Sequence, residues 1–515
     1  MQFCYIFSGL ASAPYSTCPT TWQKKDKDVT SLVKDLKPQS VWEHFAAIAE
    51  IPRPSKNEGR IAAHIINLAR KAGLKPDQDA TGNIVVRKPA SPGNENAPTV
   101  VIQSHLDMVC EKNRDVKHDF DSDPIQLERV NGHIKARGTT LGSDNGIGVA
   151  AAVAIMMDPA LVHGPLELLF TIDEETGMTG AMGLKQDFLK GRVMLNLDSE
   201  EEGSVYVGCA GGRDTVLTFD IVREAPPPGM VPARIVVKGL KGGHSGVEIH
   251  VGRGNAIKIL ARSLREIAKR FDMRLHGLQG GSKRNAIPRE AEAVIYVKQT
   301  DLRAVTDLVG NISSQVQGEH ATVDGGVALE VENAASVTGG SLRKADQERI
   351  INFLHAVPHG VAAMSADISG LVETSTNAAT VETRESSVEV ATSQRSSVSS
   401  SLDNILDQVT ALGQLSGARI ESTNGYPGWK PNMKSKALAA TLRSYEELFG
   451  KKPVVKAIHA GLECGLIGES FPGMDMVSFG PTIEGAHSPD ERVEIATVQK
   501  FWDLLLAILK NLALN

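Results

Sequence analysis

The chain has 515 residues, of which 41% are hydrophobic and 23% charged, a balance typical of a soluble protein with buried cores. This composition excludes a mostly disordered chain, a collagen-like fibre and a small disulfide-stabilised scaffold. The net charge of -6 does not indicate a nucleic-acid partner, and no apolar stretch approaches the ~18 residues of a membrane span. Five scattered cysteines without a Cys-x-x-Cys pair argue against a thiolate zinc site and favour a reducing compartment.

The first 37 residues stand apart from the rest of the chain. They include Ala11-Ser12-Ala13, which is similar to a signal cleavage site, but they lack the basic start of a secretory signal. Two interpretations therefore remain open for residues 1–37, a disordered extension or a targeting peptide. The first fits a cytoplasmic protein, and the second would send the protein to an organelle or out of the cell.

Two helices open the part of the chain whose pattern is clear. Val41, Phe45 and Ile48 keep a helical spacing and predict a helix that begins near Gln39. The prolines of segment 51–54 end it. A second helix follows, with an apolar face around residues 61–68 and a glycine stop at position 73.

Short apolar runs then alternate with helical stretches. The runs cover residues 99–102, 166–172, 193–197 and 476–479, and a helical stretch covers residues 148–157. Buried strands that alternate with helices predict an α/β domain, in which helices cover both faces of a sheet. Two further elements, a helix from Ser435 through Leu448 and a strand at 454–458, return to this pattern near the C-terminus.

The middle of the chain has a different pattern and predicts an inserted α+β module. Strands at 233–237 and 291–297 alternate with helices at 255–271 and 302–316. Residues 374–401 are half Ser or Thr, and we expect an antiparallel sheet with one solvated face there rather than a low-complexity linker. The predicted organisation is an extension (1–37), a catalytic domain in two parts (38–212 and 431–515) and an inserted lid or dimerisation domain (213–430).

Five potential metal ligands lie at the ends of apolar runs or beside a helix start. They are His105, Asp144, one of the two glutamates at 174–175, Asp198 and His487. In open α/β sheets, ligands bind beyond the carboxyl ends of the strands. Two histidines and three carboxylates are too many for one tetrahedral ion, but they suit two ions of Zn, Mn or Co that share a carboxylate.

Long motifs in the chain resemble the aminoacylhistidine dipeptidases, also known as Xaa-His or cytosolic non-specific dipeptidases, which are carnosinase-like. These enzymes belong to the co-catalytic zinc peptidase superfamily of carboxypeptidase G and aminoacylases. The resemblance extends from about residue 38 to the C-terminus and rests on the segments His105–Val109, Lys135–Gly148, Asp198–Gly203, Lys241–Gly246, Arg284–Glu290, His459–Gly465 and Gly480–Asp490.

The resemblance implies the ligands of two zinc ions. His105, Asp144 and Asp198 are expected to bind one ion. Asp144, Glu175 and His487 are expected to bind the other, so that Asp144 bridges the two. Mn2+ and Co2+ are possible substitutes for Zn2+.

The resemblance also implies roles for five further residues. Glu174 is expected to be the general base, and Asp107 to orient the histidine ligand two positions before it. In the lid, His244 resembles a histidine that reaches the scissile carbonyl, often from the other subunit of a dimer. Asn285 and Arg395 resemble residues that contact substrate, and a guanidinium suits the terminal carboxylate of a dipeptide.

These implications define the expected function. The chain is expected to be a cytoplasmic, homodimeric di-zinc metallopeptidase that hydrolyses dipeptides, preferentially Xaa-His such as β-alanyl-histidine. A water that bridges the two metals is expected to attack the peptide bond, with Glu174 as the general base. An aminoacylase, a carboxypeptidase and a non-catalytic binding protein of the same fold remain as alternatives. The sequence assigns no function to His459, Glu463 or Cys464.

Overall fold

Two β-sheets, each with its own hydrophobic core, organise the chain. The computed structural model describes residues 32–334, 337–423 and 425–514. The predicted extension therefore lies outside the described residues as far as position 31. Val33 and Leu36 are buried in the first core, so the packed chain begins ahead of residue 38, where the catalytic domain was expected to start.

The elements that precede the insertion supply six strands of the first sheet, its helices and two strands of a smaller sheet. They are α1 (Gln39–Ala49), α2 (Gly59–Lys71), β1 (Pro76–Gln78), β2 (Ile84–Lys88), β3 (Val100–His105), β4 (Leu127–Val130), β5 (His133–Ala136), α3 (Ser143–Met157), β6 (Leu166–Thr171), α4 (Thr179–Gly183), β7 (Val193–Asn196) and β8 (Ser204–Cys209).

The inserted segment forms the second sheet, and we call residues 211–422 the lid. Its elements are β9 (Gly211–Asp220), β10 (Arg223–Glu224), β11 (Met230–Lys238), β12 (Gly243–His244), α5 (Ala256–Arg270), β13 (Arg274–Gly280), β14 (Ala286–Ile287), β15 (Ala291–Lys298), α6 (Leu302–Asp324), β16 (Ala328–Asn333), β17 (Ser341–Leu342), α7 (Lys344–Ala356), β18 (Gly360–Met364), β19 (Val372–Thr383), β20 (Ser387–Ser396), α8 (Ser399–Leu415) and β21 (Arg419–Ser422).

The last part of the chain adds two strands to the first sheet and joins two others to β4 and β5 in a separate four-stranded sheet. Its elements are α9 (Lys436–Phe449), β22 (Val454–Ile458), α10 (Glu463–Ser470), β23 (Asp475–Ser478), β24 (Ile483–Glu484), β25 (Arg492–Glu494) and α11 (Ile495–Leu514).

The first sheet has eight strands in the order β1-β2-β6-β3-β7-β23-β8-β22. Its centre is parallel, because β3 pairs in parallel with both β6 and β7, and β7 pairs in parallel with β23. The four apolar runs expected to be strands are β3, β6, β7 and β23, so that prediction is confirmed. The carboxyl ends of these four neighbouring strands lie at one edge of the sheet, and this edge carries the candidate site.

The lid is built on a nine-stranded antiparallel sheet that follows the order β16-β11-β15-β13-β19-β20-β9-β21, with β18 beside β19. The amphipathic helix α5 buries Ile257, Leu260 and Leu264 in the lid core, as its spacing predicts. Strands β19 and β20 confirm the antiparallel pairing expected for the Ser- and Thr-rich segment.

The solvated face that we expected for this segment is wrong over much of its length. Ser375, Thr392 and Gln394 are buried, with at most 1% of their surface exposed. The Gln394 amide donates to Thr376 and Thr392, and Thr215 donates to its carbonyl oxygen. Hydroxyls and amides that satisfy one another in this way can be buried without a large desolvation cost.

Two neighbouring segments connect the lid to the first sheet. Ala210 alone separates β8 from β9, and the returning segment 426–429 pairs with this passage. Cys209 and Trp429 exchange backbone hydrogen bonds of 2.9 Å, and Gly212 and Tyr426 exchange bonds of 3.0 Å. The chain therefore enters and leaves the lid as a short antiparallel ladder. The boundaries at 213 and 430 stay a prediction.

None of the described helices combines the length and the apolar character that crossing a membrane requires.

Candidate metal centre

Five side chains converge at the edge where the central parallel strands end. His105 is the last residue of β3, Asp198 follows β7 by two residues, and Glu175 follows β6 by four. Asp144 lies in the first turn of α3, and His487 lies in the loop between β24 and β25. The structure thus brings together all five residues that the sequence suggested as metal ligands.

Asp144 lies between the two histidines of the group. Its Oδ1 is 3.1 Å from His105 Nε2, and its Oδ2 is 3.3 Å from His487 Nε2. Asp198 Oδ1 lies 3.2 Å from His105 Nε2, and Glu175 Oε2 lies 3.0 Å from His487 Nε2. The five side chains therefore form two triads that share one carboxylate.

The electrostatics of the group favour bound cations. Burial raises the pKa of Asp198 to about 6, and the neighbouring carboxylates of Asp144 and Glu175 add to this effect. Hydrogen bonds that the His487 ring donates to Asp144 and Glu175 raise the pKa of His487 to about 11. Glu175 Oε1 is buried and has no hydrogen-bond partner among the described residues. Buried carboxylates that repel one another and leave an oxygen unpaired fit a set of divalent-cation ligands.

Asp107 organises the loop that carries the two adjacent glutamates. Its Oδ1 lies 3.3 Å from His105 Nδ1, and its two oxygens accept the backbone N–H groups of Glu174 and Glu175. Ser55 Oγ also donates to it, at 2.8 Å. Burial opposes ionisation of Asp107, but the His105 and Ser55 hydrogen bonds lower its pKa to about 2.

Glu174 is placed differently from Glu175. Its carboxyl does not pair with either histidine in the way Glu175 pairs with His487. Burial raises its pKa well above the ordinary value, and the charges of Asp198 and Glu463 add to this effect although His105 opposes it. A carboxyl with a raised pKa in a site of this kind is a candidate proton acceptor and donor.

Glu491 is a residue of the site that sequence reasoning missed. Its Oε2 accepts the N–H groups of Leu141 and Gly142 at 2.7 and 2.8 Å, and its Oε1 accepts the N–H and Oγ–H of Ser143 at 2.7 and 2.6 Å. A weaker contact of 3.3 Å reaches the N–H of Asp144. Glu491 therefore connects the loop of His487 to the loop of Asp144. Its position four residues after His487 was the signal available in the sequence.

Arg53 also binds the loop that carries Asp144. It is 3% exposed, and its Nη1 donates to the carbonyl oxygens of Leu106 and Asp107 at 2.9 and 2.6 Å. Its Nη2 donates to the carbonyl oxygen of Gly142. Gly142 has a φ of 68° and a Cβ there would come 2.5 Å from Arg53 Nη2, so the close approach requires glycine. The only hint in the sequence was a charged residue between two prolines.

Glu463 lies beneath the site and is fully buried. Its Oε2 accepts hydrogen bonds from Gln103 Nε2 at 2.7 Å and from Thr171 Oγ1 at 2.6 Å. Burial raises its pKa to about 8. Because Gln103 and Thr171 belong to β3 and β6, Glu463 ties the start of α10 to two strands that lead to candidate ligands.

The lid brings a second group of polar side chains into contact with the part of the chain that forms the first sheet. Burial and the nearby Arg395 charge lower the pKa of His244. The turn after His244 packs on the catalytic part of the chain, since a Cβ at Gly246 would come 2.3 Å from the carbonyl oxygen of His459. His459 Nε2 lies 2.7 Å from Ser375 Oγ in the lid. Asn285 is exposed, and its backbone carbonyl accepts the N–H of Ser245.

Arg395 is an unpaired buried cation. Only 8% of its surface is exposed, and its Nε has no hydrogen-bond partner among the described residues. Its guanidinium forms no ion pair within the described part of the chain, and Nη1 donates to the Tyr426 hydroxyl at 2.9 Å. A buried guanidinium without a carboxylate is costly, so this position favours an anionic ligand.

A cavity of about 1080 Å³ lies on the lid beside the β12–β14 ribbon. Gly243 and Arg284 line it, next to His244 and Asn285 in the chain, and none of the five candidate metal ligands does. The chemistry of the two triads, rather than the size of this cavity, identifies the site.

Comparisons with known proteins match the chain to a family description and to a relative. The description "Peptidase family M20/M25/M40" matches residues 101–511. The chain is 45% identical over 482 residues to the cytosol non-specific dipeptidase of Escherichia coli (strain K12), a match that covers 94% of this chain and 99% of that protein.

Solved structures show the same likeness. The crystal structure of aminoacylhistidine dipeptidase from Vibrio alginolyticus has a TM-score of 0.88 and 45% identity, over 93% of this chain and 97% of that one. A tripeptidase of Staphylococcus aureus has a TM-score of 0.55 at 16% identity, over 93% and 100% of the two chains, which is a likeness of fold alone. These matches confirm the predicted fold class, an α/β catalytic domain with an inserted lid.

Proposed function

Because the chain belongs to peptidase family M20/M25/M40, we propose that it is a metallo-dipeptidase that hydrolyses Xaa-His dipeptides such as β-alanyl-histidine. The observation that carries this proposal is the carboxylate of Asp144, which lies between His105 and His487 with one oxygen toward each. The names of the Escherichia coli and Vibrio alginolyticus relatives, a dipeptidase and an aminoacylhistidine dipeptidase, support the substrate class.

The two triads are the proposed ligands of two zinc ions, with Mn2+ or Co2+ as substitutes. His105, Asp144 and Asp198 would hold one ion, and Asp144, Glu175 and His487 the other. The imidazole and carboxylate donors fit these metals, and the group contains no thiolate. When bound, two such ions supply Lewis-acid activation of water and of the peptide carbonyl.

Glu174 is the proposed general base. Its buried carboxylate would take a proton from the attacking water and deliver it to the leaving amine. Asp107 supports this step by holding the Glu174 N–H at 3.1 Å and by keeping His105 in one orientation. Closure of the lid would exclude water from this site and would bring His244 to the peptide carbonyl.

Arg395 is the proposed anchor for the carboxylate of the dipeptide. A bidentate pair with a terminal carboxylate would satisfy the buried guanidinium, which has no ion pair among the described residues. Asn285, which is exposed and immediately precedes β14, is proposed to contact the substrate backbone. A requirement for a free carboxylate near the scissile bond would favour dipeptides over longer peptides.

We also propose that the protein is a cytoplasmic homodimer. The word "cytosol" in the name of the Escherichia coli relative supports the location, and the family resemblance supports the dimer. His244 lies near His459 of its own chain. Light scattering during size-exclusion chromatography should give about twice the chain mass of 55.1 kDa.

Hydrolysis of a small substrate panel tests the function. The purified protein should be assayed on β-alanyl-histidine, other dipeptides, one tripeptide and an N-acyl amino acid, as purified, after chelation and after zinc is restored. Cleavage of dipeptides alone, lost on chelation and recovered with zinc, is the expected result. Cleavage of the N-acyl amino acid instead would identify an aminoacylase and contradict the proposal.

A further inference from the structure

The Tyr426 hydroxyl is the polar group that contacts the Arg395 guanidinium. Its oxygen accepts a hydrogen bond of 2.9 Å from Arg395 Nη1. Arg395 lies on β20 opposite Gly212, and Tyr426 exchanges backbone hydrogen bonds with that same glycine. The two side chains are therefore held by adjacent backbone positions at the point where the chain enters and leaves the lid.

The Tyr426 ring has little freedom to move. A Cβ at Gly212 would come 2.7 Å from the phenol oxygen, and a Cβ at Gly461 would come 2.7 Å from Cε2. The ring thus fits between a glycine of the lid and a glycine of the catalytic part. A phenol fixed on both sides can determine where the guanidinium that it contacts will point.

A neutral acceptor suits this place better than a charged one. Burial raises the pKa of Tyr426, so its hydroxyl stays protonated at neutral pH. A carboxylate here would form an internal ion pair with Arg395 and compete with any anionic ligand. A phenol orients one edge of the guanidinium and leaves its charge available.

We propose that Tyr426 is a positioning residue that sets carboxylate specificity, by fixing Arg395 in the orientation that receives the carboxylate of the substrate. The proposal rests on the proposed function, in which Arg395 binds that carboxylate. Tyr426 itself lies at the base of the lid and acts through Arg395. Its loss should therefore weaken substrate binding and leave the chemical step intact.

The test is Tyr426→Phe, which removes the hydroxyl and keeps the ring between the two glycines. Kinetics of the zinc-loaded protein would be compared on β-alanyl-histidine and on its C-terminal amide, which has no carboxylate. The expected result is a rise in KM of about tenfold for the dipeptide, because a hydrogen bond to a charged group is lost. The value of kcat, and kcat/KM for the amide, should stay within about twofold of the parent enzyme.

Tyr445→Phe is the matched control, since its hydroxyl also contacts a charged side chain, Glu202, at 2.8 Å. This variant should leave the ratio between dipeptide and amide unchanged. An equal loss of Tyr426→Phe on both substrates, or a fall in kcat without a change in KM, would overturn the positioning role.

A binding measurement separates this proposal from the proposed function. Calorimetric titration of the Glu174→Gln protein with β-alanyl-histidine and its amide needs no turnover. A preference for the carboxylate that Tyr426→Phe removes would support the positioning role even if the parent enzyme did not cleave the dipeptide. Equal affinity for both ligands before and after the substitution would overturn it.

Discussion

Glu174 and Glu175 are adjacent in the chain yet have different surroundings. The Glu175 carboxylate lies 3.0 Å from His487, whereas burial and nearby carboxylates dominate the environment of Glu174. Both N–H groups are held by the single carboxylate of Asp107, at 3.1 and 3.2 Å. The Asp107 carboxylate thus holds the backbone of two adjacent glutamates whose side chains enter different surroundings.

This difference predicts opposite results for two isosteric substitutions. Glu174→Gln should keep the full metal content but lower kcat by about 100-fold or more, because a proton acceptor is removed. Glu175→Gln should lower the metal content itself, because a charged ligand is lost. Metal analysis after gel filtration, together with initial rates, checks both. A Glu174→Gln protein with normal turnover would contradict the assignment of the base.

We expect Glu491 to control the affinity for metal although it is not itself a proposed ligand. Glu491→Gln replaces an oxygen that accepts N–H groups of the Asp144 loop with a donor that repels them, so metal should bind at least about tenfold more weakly. Competition with a chelator measures this affinity. Glu484→Gln is the control, since Glu484 ends β24 just before the same loop but is exposed and pairs with Arg492. Equal affinities in the two variants would refute the prediction.

Four of the candidate ligands could be predicted because they lie at or shortly after the end of an apolar run or at a helix start, and His487 because it lies in the segment that follows the run 476–479. Glu491, Arg53 and Glu463 could not, because their contacts join positions far apart in the chain. The separation is about 350 residues between Glu491 and Ser143, and 360 between Glu463 and Gln103. A local pattern shows which residues end a strand, but it does not show what lies on the other side of a loop.

Strands β19 and β20 show the same limit for whole elements. Their alternating valines predicted the pairing, but their hydroxyls suggested a face in water. The structure buries those hydroxyls: Thr392 Oγ1 contacts the backbone carbonyl of Thr215, and Ser375 Oγ contacts His459, and both partners lie outside the two strands. Polar composition alone cannot distinguish a solvated face from one whose groups are satisfied by a neighbouring surface.

The buried network around Gln394 should contribute measurably to the stability of the lid. Gln394→Ala leaves the hydroxyls of Thr376 and Thr392 short of a partner and creates a cavity, so it should lower the free energy of unfolding by about 2–4 kcal/mol. Urea unfolding followed by circular dichroism measures the change. Gln279→Ala, at an exposed position of β13, should cost less than about 0.5 kcal/mol. A similar cost for both would contradict the role of the network.

At the scale of the whole molecule, His459 joins the two sheets and links stability to pH. Burial lowers its pKa to about 3, and Arg395 and His244 add to this effect. The ring is therefore neutral in the folded protein at pH values where the unfolded chain binds a proton, below its ordinary pKa of 6.5. Stability should be full above pH 6.5 and should fall as the pH drops toward 3, by up to about 1.4 kcal/mol per pH unit.

The substitution His459→Gln tests this dependence, because glutamine can still contact Ser375 but does not titrate. Its unfolding midpoint should decline less steeply between pH 6.5 and 4.5 than that of the parent protein. The measurement needs a chelator throughout, so that release of metal at low pH does not contribute. Identical slopes would show that another group carries the acid sensitivity.

The paired passage between the sheets has a further consequence, for how such a chain can change over evolution. Cys209 and Trp429 face each other across a backbone pair, so the two ends of the lid lie where a tight turn would connect two neighbouring strands. The hydrophobic core of the lid is also separate from that of the first sheet. The lid is in this sense a cassette, which could be enlarged, trimmed or exchanged without breaking a strand of the sheet that carries the metal ligands. Replacement of residues 211–427 by a short turn should leave a core that folds alone and still binds metal, but that no longer distinguishes a dipeptide from its amide.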